Sequence, residues 1–309
     1  MTAASQITVS IFMLTYNQEH CIAQAIDSIL AQKTSFKFQL VIGEDCSTDS
    51  TRSICENYQN KYPDKIKLLP SIGKNIGLIN NYFRTINACE GKYIAICDGD
   101  DYWIDEFKLQ KQVDFLEANP DFAIVGTNYH KLFKDNSLVE EKKEHSKPYY
   151  EFSDLIFKNV LPSVTTLFRN IPKQEPLPNW ILKYPYGDWP TYLWVLKNGG
   201  KIHFLNDFTA VYRMEIGVSA KLRKTLSDIE TVNLNILKDI ASDDAFSHKN
   251  AIISKSINDK KKQLVSLYNR EKKYFKAFAL FLKTIFKQEN KLGFVKFYVY
   301  SVLKSVKLI

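Results

Sequence analysis

Three aspartates, Asp98, Asp100 and Asp101, fall within four residues directly after the apolar run Tyr93–Cys97 (YIAIC). Like charges this close repel, and at the mouth of a sheet they are costly unless a cation sits among them. Carboxylate oxygens suit Mg²⁺ or Mn²⁺, which proteins usually hold with one or two carboxylates plus substrate phosphates. Asp98 and Asp100 are therefore candidate ligands of a metal that grips a diphosphate, whereas Asp101 reads as a cap for the helix that follows. Two other segments end apolar runs in the same way. Thr15-Tyr16-Asn17 follows Ile7–Leu14, and Gly43-Glu44-Asp45-Cys46-Ser47 follows Phe38–Ile42.

The elements that must position these residues can be read from hydrophobic periodicity. Ile7–Leu14, Phe38–Ile42, Ile66–Leu69, Tyr93–Cys97 and Phe122–Gly126 are short apolar runs that read as buried strands. Between them, Gln18–Gln32, Asp49–Tyr62, Leu78–Ala88 and Asp105–Ala118 carry helical spacing, with Ile22, Ala25, Ile26, Ile29 and Leu30 on one face of the first and Asp49 as a candidate N-cap of the second. Strand alternating with helix predicts an α/β fold, a mostly parallel sheet flanked by helices. Ligands on such sheets bind beyond the carboxyl ends of the strands, where the three segments lie. Residues 128–150 are polar and read as a loop or excursion. Ser163–Arg169 is strand-like, Trp189–Asn198 reads as a short helix stopped by Gly199-Gly200, and from about residue 221 the pattern is helical to the end. The expected organisation is a domain over 1–220 and a helical extension over 221–309.

Composition bounds the alternatives. The chain has 309 residues, 45% hydrophobic and 25% charged, as in a folded globular protein. No apolar run approaches the ~18–20 residues of a membrane-spanning helix, and the polar start Met1–Ile7 does not read as a secretory signal. Five separate cysteines without a C-x-x-C pair read as reduced thiols of a cytoplasmic protein. The five histidines show no metal-ligand spacing, and no glycine loop cradles a phosphate. The net charge of +8 is uneven: residues 241–309 carry 15 Lys and Arg against 5 Asp and Glu, and the rest is slightly acidic. That argues against a nucleic-acid partner for the main domain.

The segments VSIFMLTYNQE (9–19), SILAQ (28–32), VIGEDCSTDST (41–51), GKYIAICDGDDYW (91–103) and YGDW (186–189) together resemble a family 2 glycosyltransferase with the GT-A fold, over about residues 7–215. The resemblance implies that Asp98 and Asp100 form a D-x-D motif, with Asp100 bridging metal and donor diphosphate. It implies that Tyr16 stacks near the nucleobase beside Thr15, and that Asp45, next to Glu44, accepts a hydrogen bond from the base. A uracil N–H is a fitting donor to a carboxylate. The competing readings are a sheet-edge aromatic for Tyr16 and a turn residue for Asp45. Asn81 is a further nucleotide-contact candidate. Asp188 occupies the family's acidic position before a helix and is the candidate base for an inverting transfer. Its other reading is an N-cap, and Trp189 either packs on a sugar or fills core. Near residue 213 the family often has Tyr-Arg-x-His. Tyr212 and Arg213 are present, but Glu215 replaces the histidine, so Arg213 contacts phosphate or makes a structural ion pair.

The implied activity is inverting transfer of a sugar from a nucleotide-sugar, a UDP-sugar first, to a glycan or lipid-linked acceptor in surface polysaccharide assembly, with Mn²⁺ or Mg²⁺. A sugar nucleotidyltransferase and an inactive glycan-binding scaffold are the alternatives. Residues 271–309 alternate lysines with Phe, Leu and Tyr. Interfacial helices have that composition, so the tail is expected to touch the inner face of the cytoplasmic membrane. The competing reading packs it on the domain or on a second copy in a homo-oligomer.

Overall fold

The computed structural model describes residues 7–142, 147–214, 225–286, 288 and 290–306. Glu215, Lys287, Glu289 and residues 307–309 lie outside them. The chain divides into two compact units: Met1–Leu155 with Asn159–Lys221, and Ile156–Lys158 with Leu222–Ile309.

In the first unit the described residues form a nine-stranded sheet. Strand β1 (Val9–Thr15) lies between β2 (Phe38–Glu44) and β4 (Tyr93–Ile96), parallel to both, and β3 (Ile66–Leu68) adds parallel to β2. These strands are buried nearly throughout, as a sheet covered on both faces requires, so their sequences read as continuous apolar runs. Helix α1 (Ile22–Leu30) buries Ile22, Ala25, Ile26 and Ile29, the i, i+3, i+4, i+7 stripe. Helices α2 (Thr51–Lys61), α3 (Leu78–Asn87) and α4 (Lys108–Ala118) follow β2, β3 and β5 (Tyr102–Trp103).

Beyond β4 the sheet becomes mixed. Strand β8 (Leu167–Arg169) runs antiparallel to both β4 and β6 (Phe122–Leu132). Strand β9 (Lys201–Arg213) runs parallel to β6. The two-residue β5 (Tyr102–Trp103) closes the order by pairing antiparallel with β9, Tyr102 opposite Val211. The expected loop at 128–150 is corrected: β6 runs on to Leu132 and turns into β7 (Leu138–Glu141), Tyr129 opposite Glu141. Residues 134–140 of this hairpin are exposed, on both faces of β7, so their sequence lacks the apolar alternation of a half-buried strand. Helix α5 (Phe152–Leu155) and α6 (Asp188–Val195) complete the unit.

The second unit is helical: α7 (Leu226–Ser242), α8 (Asn250–Arg270), α9 (Tyr274–Ile285) and α10 (Lys291–Ser305). Thr225 caps α7, its hydroxyl accepting the Asp228 N–H at 3.2 Å. Phe281, Phe294 and Val265 form its core cluster. No helix among the described residues is long and apolar enough to cross a membrane.

Candidate active site

Register brings the three segments together. Thr15 pairs with Glu44, so β1 and β2 end side by side, and the Gly99 N–H donates to the Leu14 carbonyl at 2.9 Å where the chain leaves β4. The first two loops are stitched to each other. Asn17, at φ 52°, donates through its N–H to Ser47 Oγ (3.0 Å) and accepts the Thr48 N–H on Oδ1 (2.8 Å). The Gln18 N–H donates to Thr51 Oγ1 at 2.8 Å. Asp49 is corrected as a cap: the capping position of α2 falls on Ser50, and Asp49 accepts the Thr51 N–H on one oxygen and the Glu19 N–H on the other.

Asp98 and Asp100 sit partly open at the strand mouth, and Asp101 is buried. Burial holds the Asp98 carboxyl up at about 7. The neighbouring Asp100 and Asp188 charges add to this, against the N–H of Leu14, which donates to Oδ1 at 3.2 Å. Burial also raises Asp100, opposed by the Arg213 charge and the Gln18 side chain. Asp101 is raised well above the carboxylate range by burial and then by Asp100. It does not cap α4. Its Oδ1 accepts the Arg213 N–H at 2.8 Å. The Arg213 guanidinium donates to the Asp100 carbonyl at 2.6 Å and to Gln24 Oε1, and stacks 4.9 Å from the Tyr102 ring centroid. In this structure Arg213 is therefore spent on holding the acidic loop, an arrangement made possible by the β5–β9 pairing.

Asp45 and Glu44 differ in what they hold. Asp45 accepts the Ile76 N–H on one oxygen (2.8 Å) and the Gly77 N–H on the other (3.0 Å), while burial raises its carboxyl against those two bonds. Each oxygen keeps a second lone pair. Glu44 is buried, accepts the Ser47 N–H at 2.6 Å and lies 3.6 Å from the Arg52 guanidinium. Asn81 is buried under β2, its amide donating to the Gly43 carbonyl at 2.6 Å. Thr15 is buried and Tyr16 half-buried at the exit of β1.

Asp188 is the first residue of α6. The capping position falls on Gly187, so the N-cap reading of Asp188 is corrected. Asn159 Nδ2 donates to its Oδ2 at 3.1 Å. The charge of Asp188 is felt at Asp98, Tyr82 and Tyr192, which puts it on the same side of the site as the acidic loop. Beneath it, Tyr82 donates to Thr191 Oγ1 at 2.9 Å, and a side chain at Gly187 would meet the Tyr82 ring at 2.8 Å. Trp189 is core: it is buried, and its Nε1 donates to the Leu155 carbonyl at 2.9 Å.

The profile of Glycosyl transferase family 2 matches residues 10–169, more than half of the chain. The chain belongs to that family. The family match covers the loops after β1 and β2 and the acidic loop and ends at β8. An uncharacterized protein of Mycobacterium tuberculosis, Rv1520, is 32% identical over 208 residues, which are 66% of this chain and 58% of the relative. The match thus spans less than two thirds of that relative's length. The putative teichuronic acid biosynthesis glycosyltransferase TuaG of Bacillus subtilis is 27% identical over 208 residues, 67% of this chain and 79% of TuaG. Among solved structures, S. aureus TarS residues 1–349 with UDP-GlcNAc superposes with a TM-score of 0.63 at 17% identity, covering 97% of this chain and 90% of that one. The mannosyltransferase PcManGT of Pyrobaculum calidifontis, solved with GDP-Man and Mn²⁺, gives 0.57 at 14% identity over 98% and 87%. At these identities the likeness is one of fold.

The family fold therefore accounts for the frame, and the residues themselves for the chemistry. Among the described residues no three His, Cys, Asp or Glu side chains are gathered to ligate a metal. What the strand mouth offers is a pair of hard oxygen donors, Asp98 and Asp100, both raised first by burial. Such a donor set fits a Mg²⁺-like cation that is completed by phosphate oxygens. Reasoning from sequence missed Gln18, Gln24 and Asn159. Each is an isolated amide whose role depends on a partner 29 or more positions away, as with Asn159 and Asp188.

Proposed function

We propose that the protein transfers a sugar from a nucleotide-sugar, a UDP-sugar first, to a hydroxyl of a glycan or lipid-linked acceptor, inverting the anomeric centre. What supports this reading most is the acidic pair Asp98 and Asp100 at the end of β4, with Asp188 near enough for its charge to add to the burial that raises Asp98. Asp98 and Asp100 would hold Mn²⁺ or Mg²⁺, which as a Lewis acid would stabilise the negative charge of a departing diphosphate. Tyr16 offers a ring face to the base beside Thr15, and Asp45, with a lone pair left on each oxygen, accepts its N–H. Glu44 and Asn81 act through Ser47 and Gly43 as positioning residues, and Arg213 keeps the acidic loop in register.

Asp188 takes the acceptor's proton. The acceptor oxygen then bonds to the sugar's anomeric carbon on the face opposite the diphosphate, and the carbon–oxygen bond to the diphosphate breaks. Asn159 donates to one carboxylate oxygen of Asp188 and so helps to orient the base. Placement of this chemistry in surface polysaccharide assembly is supported by the teichuronic acid role in TuaG's name and by a dTDP-rhamnosyl transferase of Shigella flexneri, RfbG, 37% identical over 110 residues.

A thermal-shift panel of UDP-, dTDP- and GDP-sugars with and without Mn²⁺ tests the reading. A ligand at a hundredfold its Kd stabilises the native state by about 2.7 kcal/mol. A UDP-sugar is expected to raise the melting temperature only with Mn²⁺. No shift with any nucleotide-sugar would overturn the assignment.

A further inference from the structure

Helix α9 carries two apolar stripes. Ala277, Phe281 and Thr284 are buried, and the Phe281 ring stacks on Tyr298 of α10 with centroids 4.4 Å apart. Phe275, Phe278, Leu282 and Phe286, spaced by three, four and four residues, form the second stripe and are 86%, 47%, 46% and 80% exposed. At 100° per residue the centres of the two stripes lie roughly 140° apart around the axis, so one packing surface cannot bury both. Helix α10 repeats the division. Phe294 and Ser301 are buried, while Leu292 and Val299, one heptad apart, are 67% and 48% exposed.

Charge identifies what this face is built to meet. Lys276 and Lys283, also a heptad apart, are exposed beside the outer stripe of α9. Residues 272–309 contain nine lysines and a single acid, Glu289. A second copy of the chain would set lysines against lysines with almost nothing to neutralise them. An anionic bilayer answers both features, since its acyl boundary takes Phe and Leu and its phosphates take the ammonium groups, with the lysine stems lying along the apolar surface.

We propose that α9 and α10 dock the protein on an anionic lipid surface, with Phe275, Leu282 and Phe286 entering the headgroup–acyl boundary and Lys276 and Lys283 at the phosphates. The proposal does not rest on the transfer reaction, because vesicle binding is read without donor or acceptor.

The test is co-sedimentation of the full chain with vesicles of phosphatidylcholine alone or with about 30 mol% phosphatidylglycerol. The protein is expected to pellet with the anionic vesicles only, and to be released as NaCl rises to about 0.5 M. F275S/F286S and K276E/K283E alter exposed side chains and are expected to keep the wild-type melting temperature while lowering partitioning by about tenfold or more. Equal binding to both vesicle types, no binding to either, or variants that bind like wild type would overturn the proposal. So would self-association of the wild type that F275S/F286S abolishes in the absence of any vesicle binding, which would give the face to a second copy.

Discussion

Replacing Asp188 by asparagine keeps the side chain's size and the bond from Asn159 but removes the base. Positioned general bases contribute about 10²–10⁴-fold. D188N is therefore expected to lose transfer by that order in a radiolabelled-sugar assay, with donor affinity within about twofold of wild type. Turnover at the wild-type rate would remove Asp188 from the role. At this scale the sequence was legible where a residue type is chemically demanding. Carboxylates clustered after an apolar strand point to a cation, and Asp98 and Asp100 do follow β4, with Asp188 near enough for its charge to add to the rise of Asp98. It was not legible where a side chain serves the backbone. Nothing in Leu78–Asn87 marks Asn81 as the residue turned in under Gly43, or shows that the charge of Arg213 is used on the Asp100 carbonyl. Those roles depend on contacts 38 and 113 positions away.

At the scale of elements, the buried strands and the stripe of α1 follow from periodicity, and the structure agrees with both. Helix α1 begins at Ile22, later than the expected Gln18, because Asn17, Gln18 and Glu19 are bonded to the β2–α2 loop and the start of α2 instead of to a first helical turn. The two-residue β5 was missed because it depends on pairing with distant β9, and the β6–β7 hairpin because β7 is exposed on both faces and carries no apolar alternation. The junction of β2 and α3 shows how tightly such elements meet. A methyl on Gly43 would overlap the Thr85 hydroxyl and press on Asn81. G43A is expected to destabilise the protein by about 1–3 kcal/mol in urea denaturation, and a neutral result would mean that α3 can back away from the strand. In the helical unit, Glu271 accepts the Ser227 N–H at 2.9 Å and the Lys273 ammonium at 2.6 Å. Burial alone would raise its carboxyl, but the bonds from Lys273 and Ser227 outweigh it and hold it down at about 2. A depressed carboxyl stabilises the fold above its ordinary pKa, and the effect fades as pH falls from about 4.5 toward 2. E271Q is thus expected to cost on the order of 1–2 kcal/mol at pH 7, with a smaller gap at pH 3. An equal gap at both values would show that the loss comes from packing.

At the scale of the molecule, the chain separates its charges. Acidic groups gather at the carboxyl ends of β2 (Glu44, Asp45) and β4 (Asp98, Asp100, Asp101), and the basic excess lies in residues 241–309. The first would hold the cation and diphosphate of the proposed transfer, and the second borders the apolar face of the helical unit with lysines. Composition revealed this asymmetry directly, whereas the order of the mixed sheet, which sets Arg213 beside the acidic loop, emerged only from the folded chain. Calorimetric titration of UDP into wild type and D100A, each with and without Mn²⁺, tests the central claim most directly. Mn²⁺ is expected to tighten UDP binding by about tenfold or more in wild type, a coupling of roughly 1.4 kcal/mol, and to have no effect in D100A. UDP affinity that is indifferent to Mn²⁺ in wild type, or equally enhanced in D100A, would contradict it.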